Sequence, residues 1–508
     1  MSNIDFIHGF NKAVSTSNRL FAVYGNDVVD VDTGLGGSQN LISPELATME
    51  TFLDTAILQK YVDRPTSFDG TSWGVTNVGR APAAKSIRAV KTRLYLGNCQ
   101  LPDPDAPSNA GPWPSRVFKS DLPSESELRW GLEWGTNLTT VANNARVNIS
   151  VGIQDFKFTN IKVGDPFYIT SGLGSIWRSF VSSIDSRYQI TLQDTVPSAL
   201  AGNGHYWVGS NWFDVGTDDN DYIITLGENS DKLAIFKQFS LWVYNEVALQ
   251  RINDAPGTTS RKSVVNIGPF TYYFHGSNTN NRRTGIYLFD GFKSTKISSA
   301  IQQYIDGMDT SNYTQAIGWR EGNKLRMFLG DISNSQRNIS LSKVAFTLDT
   351  DGGQWSVDPL ADTITASGRF LEGGAEKWFI GTSDGEVMET PSGNDHDGVV
   401  IPFSVEIGFR YPAGSSVICS FPRIQMVARN GRGISVSYKL AGTPKKTDDV
   451  WHSLGDIEDD YQEFTLPSGH RRGRGINIKF SNIDGHVNNF CVQKLNLFFE
   501  PVNVRSRV

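Results

Sequence analysis

A loosely repeated hairpin unit constrains the fold of this 508-residue chain more than any other feature. Each unit has a short apolar strand, a polar turn and a second strand rich in aromatic residues, as in residues 223–237, which are followed by the apolar segment 240–244. Most successive units are roughly 36–53 residues apart, the period typical of β-propeller blades. One four-stranded sheet cannot bury both of its faces, but sheets packed around an axis bury them against each other. The repeat therefore predicts an all-β chain built around a β-propeller. The units are centred near residues 18, 54, 91, 229, 268, 321 and 373.

One short motif occurs twice with the same spacing. Asp69 and Gly70 precede Trp73 as Asp351 and Gly352 precede Trp355, giving the pattern D-G-x-x-W. An Asp-Gly turn followed by a tryptophan on the next strand suits a blade hairpin. We therefore assign both aspartates a structural role in turns.

The interval between the units near residues 91 and 229 is too long for one blade. Within it, Gly164 and Asp165 form a turn signal before a strand, and two more short strands follow by residue 192. This pattern predicts a small β-barrel inserted into a propeller loop. We place the first part of the propeller at residues 1–145, the inserted barrel at 146–215 and the second part of the propeller at 216–392.

A polar, glycine-containing segment at residues 391–398 marks a boundary. Most of the strands predicted beyond it alternate apolar with polar residues, which indicates a β-sandwich. The C-terminal domain is therefore placed at residues 393–508. The predicted fold is an all-β β-propeller with an inserted small β-barrel and a C-terminal β-sandwich.

Charge and cysteine content exclude several classes of protein. The net charge of −6 predicts no general attraction to nucleic acid, which normally requires a basic face. The three cysteines, Cys99, Cys419 and Cys491, are far apart and form no CxxC pair, so neither a zinc ribbon nor a disulfide framework is indicated. There is no run of about 18 apolar residues, so we expect no membrane helix.

The motifs that resemble catalytic or metal-binding patterns have structural explanations. The seven histidines fall in neither HExxH nor HxH spacing. The GxSxG pattern occurs at residues 70–74 and 381–385, but both copies read as β turns without the helix that a nucleophile elbow requires. The acidic turns at 218–221 and 394–397 are the best candidates for Ca²⁺, and solvated turns explain them better. We therefore predict no catalytic residue, no resident metal and no cofactor, and the chain is not expected to be an enzyme.

A basic cluster in the C-terminal domain is the remaining candidate site. Arg471, Arg472 and Arg474 surround Gly473 just before a predicted strand. An exposed loop explains such a cluster, and a contact with a neighbouring subunit is the functional alternative.

The order of these pieces resembles the tail hub, or nozzle, of short-tailed bacteriophages. The resemblance rests on the sequence pattern of the hairpins, a long insertion and a C-terminal sandwich, and it covers about residues 15–500. The hairpins concerned lie at residues 212–215, 221–226, 232–242 and 285–291.

The resemblance implies a virion structural protein of the tail, made in the cytoplasm of the host bacterium. It further implies a homo-oligomer, with six chains in a ring that contacts adaptor or portal proteins and other tail proteins. Viral DNA would pass through the lumen without sequence-specific binding. A receptor-binding or glycan-binding propeller of the tail is the alternative. A propeller hydrolase is the third hypothesis, and it would need carboxylates converging in a central pocket.

Overall fold

The computed structural model is all-β and divides into two compact units, Met1–Pro391 and Ser392–Val508. Among the residues it describes, the only α-helix is the single turn α1, Gln302–Ile305. Described residues are 3–12, 18–34, 36–39, 41, 47–59, 61, 65–74, 81–100, 113–120, 130, 132–140, 144–149, 161–170, 176–186, 188–197, 202–209, 211–216, 219–277, 283–335, 339–372, 374–390, 395–396, 399–400, 404–429, 431–442, 450–482 and 491–502.

The first two sheets each have four antiparallel strands that pair in chain order. Their strands are β1 (Ile4–Phe10), β2 (Arg19–Tyr24), β3 (Asp27–Asp30) and β4 (Gly36–Ser38), then β5 (Thr48–Phe52), β6 (Thr55–Gln59), β7 (Thr66–Phe68) and β8 (Trp73–Gly74).

The third sheet is interrupted by a six-stranded closed barrel. The strands of this region are β9 (Ala83–Val90), β10 (Arg93–Gln100) and β11 (Trp113–Lys119), the barrel strands β12 (Leu132–Thr140), β13 (Arg146–Ile149), β14 (Pro166–Thr170), β15 (Ile176–Ser186), β16 (Gln189–Leu192) and β17 (Gly202–Gly209), and then β18 (Trp212–Asp214).

The barrel does not keep the boundaries predicted at residues 146 and 215. Strand β12 begins at Leu132 and pairs with both β13 and β17, so it belongs to the barrel. Strand β18 pairs with β11 and completes the third sheet. Which sheet a strand joins depends here on pairing with strands that are distant in sequence. Hydrophobic periodicity along one strand cannot reveal that pairing.

Four further sheets complete the first unit. Three have four strands in chain order and the last has three. Their strands are β19 (Ile223–Asn229), β20 (Lys232–Lys237), β21 (Leu241–Tyr244) and β22 (Leu249–Arg251); β23 (Val265–Ile267), β24 (Phe270–His275), β25 (Gly285–Phe289) and β26 (Ser294–Lys296); β27 (Ile317–Glu321), β28 (Lys324–Asn334), β29 (Ile339–Asp349) and β30 (Trp355–Pro359); and β31 (Ile364–Glu372), β32 (Ala375–Thr382) and β33 (Val387–Thr390). Short 3-10 helices lie at Arg261–Ser263, Ser298–Ile301 and Thr310–Thr314.

The apolar core of this unit lies between consecutive sheets. Among the described residues, seven hydrophobic clusters each join one sheet to the next, and one of them joins the seventh sheet to the first. Each sheet is therefore covered on both faces, which explains why strands such as β20 are apolar on both sides. The first strands also pack in order, β5 beside β9, β9 beside β19, β23 beside β27, β27 beside β31, and β31 beside β1.

Glycines allow the close contact between β31 and β1. A Cβ atom on Gly368 would lie 2.5 Å from the backbone oxygen of Ile7, and one on Gly9 would lie 2.2 Å from that of Arg369. Neither distance is compatible with a side chain larger than hydrogen. These two glycines therefore set how closely the first and last sheets approach.

A recurring aspartate or asparagine turn closes the third strand of five sheets. In each turn, the side-chain Oδ1 accepts hydrogen bonds from the backbone N–H groups two and three residues later, which is an Asx turn. In three of the turns, those N–H groups hold the pKa of Asp69, Asp290 and Asp349 below its ordinary value, mainly through Ser72, Lys293 and Gly352 respectively. The turn residues are Asp30, Asp69, Asn245, Asp290 and Asp349.

Of the two turn roles assigned to the aspartates of the D-G-x-x-W motifs, one is right and the other is wrong. Asp69 has the predicted turn role, whereas in the second motif Asp349 takes that role instead of Asp351. Asp351 accepts a hydrogen bond from Asn323 of the neighbouring hairpin turn. The first motif therefore begins at the aspartate that accepts in its Asx turn, whereas the second begins two residues after that aspartate.

The second unit contains two four-stranded sheets that share one apolar core. A short hairpin, β34 (Asp395–His396) and β35 (Val399–Val400), precedes them. The remaining strands are β36 (Ser404–Glu406), β37 (Cys419–Arg429), β38 (Ile434–Ala441), β39 (His452–Asp456), β40 (Tyr461–Thr465), β41 (Arg472–Gly473), β42 (Gly475–Asn482) and β43 (Cys491–Pro501), with a 3-10 helix at Ser468–His470.

Candidate functional site

The first strands of the seven sheets surround a cavity of about 800 Å³. Each strand contributes side chains at positions just before its hairpin turn, such as Glu50 before the turn at Leu53 and Arg88 before the turn at Lys91. Strands β1, β5, β9, β19, β27 and β31 contribute most of the acid–base groups, the 3-10 helix before β23 adds two cations, and Asp231 in the turn after β19 and Glu376 on β32 add two carboxylates. The charged and titratable lining residues are Asp5, His8, Glu50, Arg88, Glu228, Asp231, Arg261, Lys262, Arg320, Arg369 and Glu376.

Arg88 is at the centre of a charged cluster in this cavity. Its guanidinium lies 3.4 Å from a carboxylate oxygen of Glu50 on β5 and 3.8 Å from one of Glu228 on β19. It therefore bridges strands from three consecutive sheets. Both carboxylates of this bridge belong to the cavity wall, so two acidic groups converge there, a condition that the hydrolase hypothesis required.

Burial raises the pKa of Glu50 above its ordinary value, and the positive charge of Arg88 opposes that shift only in part. The Glu50 side chain keeps 19% of its surface exposed to the cavity, but protein surrounds it on the other sides. Glu50 is therefore the carboxyl group in this cluster whose protonated form the environment favours.

His8 lies on β1, next to the same cluster. Its Nε2 is 2.7 Å from the hydroxyl oxygen of Thr51, which joins β1 to β5. Burial, followed by the positive charges of Arg369 and Arg88, lowers the pKa of His8 to about 3. The imidazole is therefore neutral at ordinary pH and acts as a hydrogen-bonding group.

Polar contacts also join other neighbouring strands of the cavity wall. The hydroxyl of Ser86 on β9 accepts a hydrogen bond from the backbone N–H of Leu226 on β19, and that of Ser367 on β31 donates to the carbonyl of Gly318 on β27. Lys262 reaches the carbonyl of Thr365. These links fix the cavity wall, and most of its charged groups stand on the paired strands that form it.

The first acidic turn considered for calcium is occupied by a lysine. The ammonium group of Lys237 lies against Asp219, while Asp221 accepts from the hydroxyl of Ser240 and the N–H of Phe239. Asp218 lies outside the described residues. In the second turn only Asp395 and His396 are described. Within the described part of the chain, there is no group of three or more histidine, cysteine, aspartate or glutamate side chains arranged to hold a metal.

The two GxSxG copies lie in turns, as expected from their sequence. The backbone N–H of Ser72 donates to Asp69, and Ser383 sits in the turn where Gly385 donates to the carbonyl of Thr382. Neither serine lines the cavity.

The basic cluster lies in the second unit, in and beside β41. Arg472 and Arg474 are exposed and Arg471 is half-buried. The carbonyl of Arg471 accepts a hydrogen bond from Phe421, and the N–H of Arg474 donates to Ala441. Among the described residues, none of the three guanidinium groups forms an ion pair. Their role as a subunit contact stays a prediction.

The cavity residues were not singled out from the sequence, because each comes from a different strand and no short motif joins them. One signal was present. A charged residue stands two to four positions before the hairpin turn in five units, in strands that are otherwise largely apolar. These residues are Glu50, Arg88, Glu228, Arg320 and Arg369.

No protein-family model matches the chain, and no curated protein matches it. Several solved structures show a remote likeness. The computationally designed Ika8 protein has a TM-score of 0.34 at 10% identity, over 76% of this chain and 96% of that one. The phage phi92 endosialidase has a TM-score of 0.31 at 12% identity, over 92% of this chain and 74% of that one. Sqt1 of Saccharomyces cerevisiae has a TM-score of 0.34 at 9% identity, over 77% and 97%.

No helix in the described part of the chain is long and apolar enough to cross a membrane.

Proposed function

We propose that the seven sheets of the first unit are the blades of a β-propeller, with the barrel inserted in the third blade and a β-sandwich as the second unit. Two observations support this fold. Apolar clusters join each sheet to the next and the last to the first, and the first strand of every sheet lines the same cavity. A ring of sheets around a central channel has both properties.

We further propose that the chain is a virion structural protein, a subunit of the tail hub or nozzle of a short-tailed bacteriophage. In this role identical chains, six in the proposed ring, surround the DNA exit channel, retain the packaged genome and pass it during ejection. The observation that carries the proposal is the joining of seven mutually packed sheets to two further β modules in a single chain. Rigid modules of this kind offer separate surfaces to identical neighbours and to portal-side proteins, and closed rings repeat one heterologous interface around an axis.

A receptor-binding or glycan-binding protein of the tail is the second candidate. The cavity favours it, because a volume of about 800 Å³ lined by polar groups from rigid strands suits a small ligand. The two candidates predict different behaviour in solution.

The decisive experiment measures the mass of the full chain by light scattering, alone and then mixed with portal or adaptor proteins from a short-tailed phage. A ring of about six copies of the 56.1 kDa chain, formed alone or only with those partners, would support the tail-hub proposal. A monomer that ignores them would overturn it and favour the glycan-binding alternative.

A further inference from the structure

Arg369 presents an unmatched positive charge to the central cavity. Its side chain is exposed and lines the cavity beside His8. Among the described residues, no carboxylate lies within ion-pair distance of its guanidinium. A guanidinium held on a rigid strand without a counter-charge is suited to bind an anion from solution.

Arg88 contributes a second guanidinium, and its hydrogen-bond donors are only partly paired. Its two carboxylate contacts, at 3.4 and 3.8 Å, are longer than the roughly 2.7–2.9 Å of well-formed charged hydrogen bonds. Its Nε is hidden from solvent and has no acceptor among the described residues. The guanidinium therefore has donor capacity that Glu50 and Glu228 leave unused.

We propose that the cavity binds a small oxyanion, a carboxylate or a phosphate, held between Arg369 on β31 and Arg88 on β9. Strand β31 packs against β1, which carries His8, and β9 packs against β5, which carries Glu50; both guanidinium groups act electrostatically on these two residues. A molecule carrying one such anionic group fits within about 800 Å³, a volume typical of small-ligand sites. This site is independent of the proposed assembly role.

Glu50 regulates the charge of this site. The charged groups that face it are Arg88 from β9, Glu228 from β19 and Arg369 from β31, with the neutral His8 from β1 beside them. When Glu50 is ionised, it competes with an incoming anion for Arg88. When Glu50 takes up a proton, that competition ends, so anion binding is coupled to protonation of this carboxyl group.

Titration calorimetry on the full chain tests the site with two probes, glucuronate as the carboxylate and inorganic phosphate. Glucose serves as the uncharged counterpart of glucuronate. We expect at least one anion to bind and glucose not to bind. Arg369→Met should weaken the binding by roughly tenfold or more, since it removes charge-assisted hydrogen bonds. The matched control is Arg251→Met, which makes the same charge change at an exposed position on the outer strand β22 and should bind like wild type.

The coupling to protonation is tested by Glu50→Gln with whichever anion binds. This variant should bind at least as tightly as wild type at pH 7.5. With glucuronate, whose carboxylate does not titrate near neutrality, its affinity should also change less between pH 5.5 and 7.5. Absence of binding by both anions, equal binding of glucose, or unchanged binding by Arg369→Met would each overturn the proposed site, whatever the oligomeric state.

Discussion

The ammonium group of Lys237 lies 2.8 Å from each carboxylate oxygen of Asp219. It also donates to the backbone carbonyls of Val215 and Gly216, at 2.8 and 3.0 Å. The Lys237 side chain is completely buried, so four acceptors take the place of water around one charge. Through these bonds, β20 holds the segment that leaves the third sheet after β18.

Breaking this ion pair should destabilise the first unit. Lys237→Met leaves two carbonyls without their donor, while Asp219 keeps 34% of its side-chain surface exposed and can be solvated, so we expect a cost of about 1–3 kcal/mol in the free energy of unfolding. Asp219→Asn keeps an oxygen acceptor but leaves the completely buried ammonium group without its counter-charge, so it should cost more, about 3–5 kcal/mol. Urea unfolding followed by tryptophan fluorescence would compare the two variants. Equal losses for both would contradict this account.

His8 in the cavity should make the free energy of unfolding decrease at acidic pH. The pKa of His8 in the folded state is lowered to about 3, while its unfolded value is near 6.5. Below pH 6.5, His8 therefore becomes protonated in the unfolded chain but stays neutral in the folded chain. The free energy of unfolding falls as the pH drops from 6.5 towards 3.

His8→Gln should remove that contribution, which we put at roughly 1–2 kcal/mol because the cavity admits solvent. The measurement is the difference in unfolding free energy between wild type and variant at pH 7.5 and at pH 4.5. We expect the variant to lose less stability on acidification. A difference that does not change with pH would show that His8 is not held neutral.

Contact between the first and last sheets should be sensitive to a single methyl group. Gly368→Ala places a Cβ about 2.5 Å from the carbonyl of Ile7, so backbone must shift, at a cost of about 1–3 kcal/mol. Gly352→Ala is the matched control, since its nearest neighbour would be 3.6 Å away. Hydrogen exchange should increase in β1 and β31 of the first variant only. Unchanged protection of β1 and β31 would contradict the close contact between the first and last sheets.

The exposed arginines of the second unit should matter only if chains or partners meet there. Arg472→Glu with Arg474→Glu should weaken assembly measured by light scattering, with little effect on folding. Reversing two other exposed arginines of the same unit, Arg429 and Arg432, provides the control. Equal effects of both pairs would point to net charge instead of a specific contact.

Much of the strand arrangement was predictable, since hairpins are local. The unit positions near residues 54, 91, 229, 268 and 321 correspond to turns between the first two strands of successive sheets. Strand β1 was missed because its buried residues Ile4, Ile7 and Phe10 recur every third position instead of alternating. The cavity cluster was missed for a different reason, because its geometry exists only after distant strands meet.

The insertion between β11 and β18 has a consequence for how the chain is made. Arg116 and Asp214 are 98 positions apart, yet they form two hydrogen bonds of 2.8 and 3.0 Å across adjacent strands. During synthesis on the ribosome, the third sheet must wait for the entire barrel before its outer strand arrives. A barrel that closes on itself quickly would keep its own unpaired edges covered during that delay, and so protect the growing chain from aggregation.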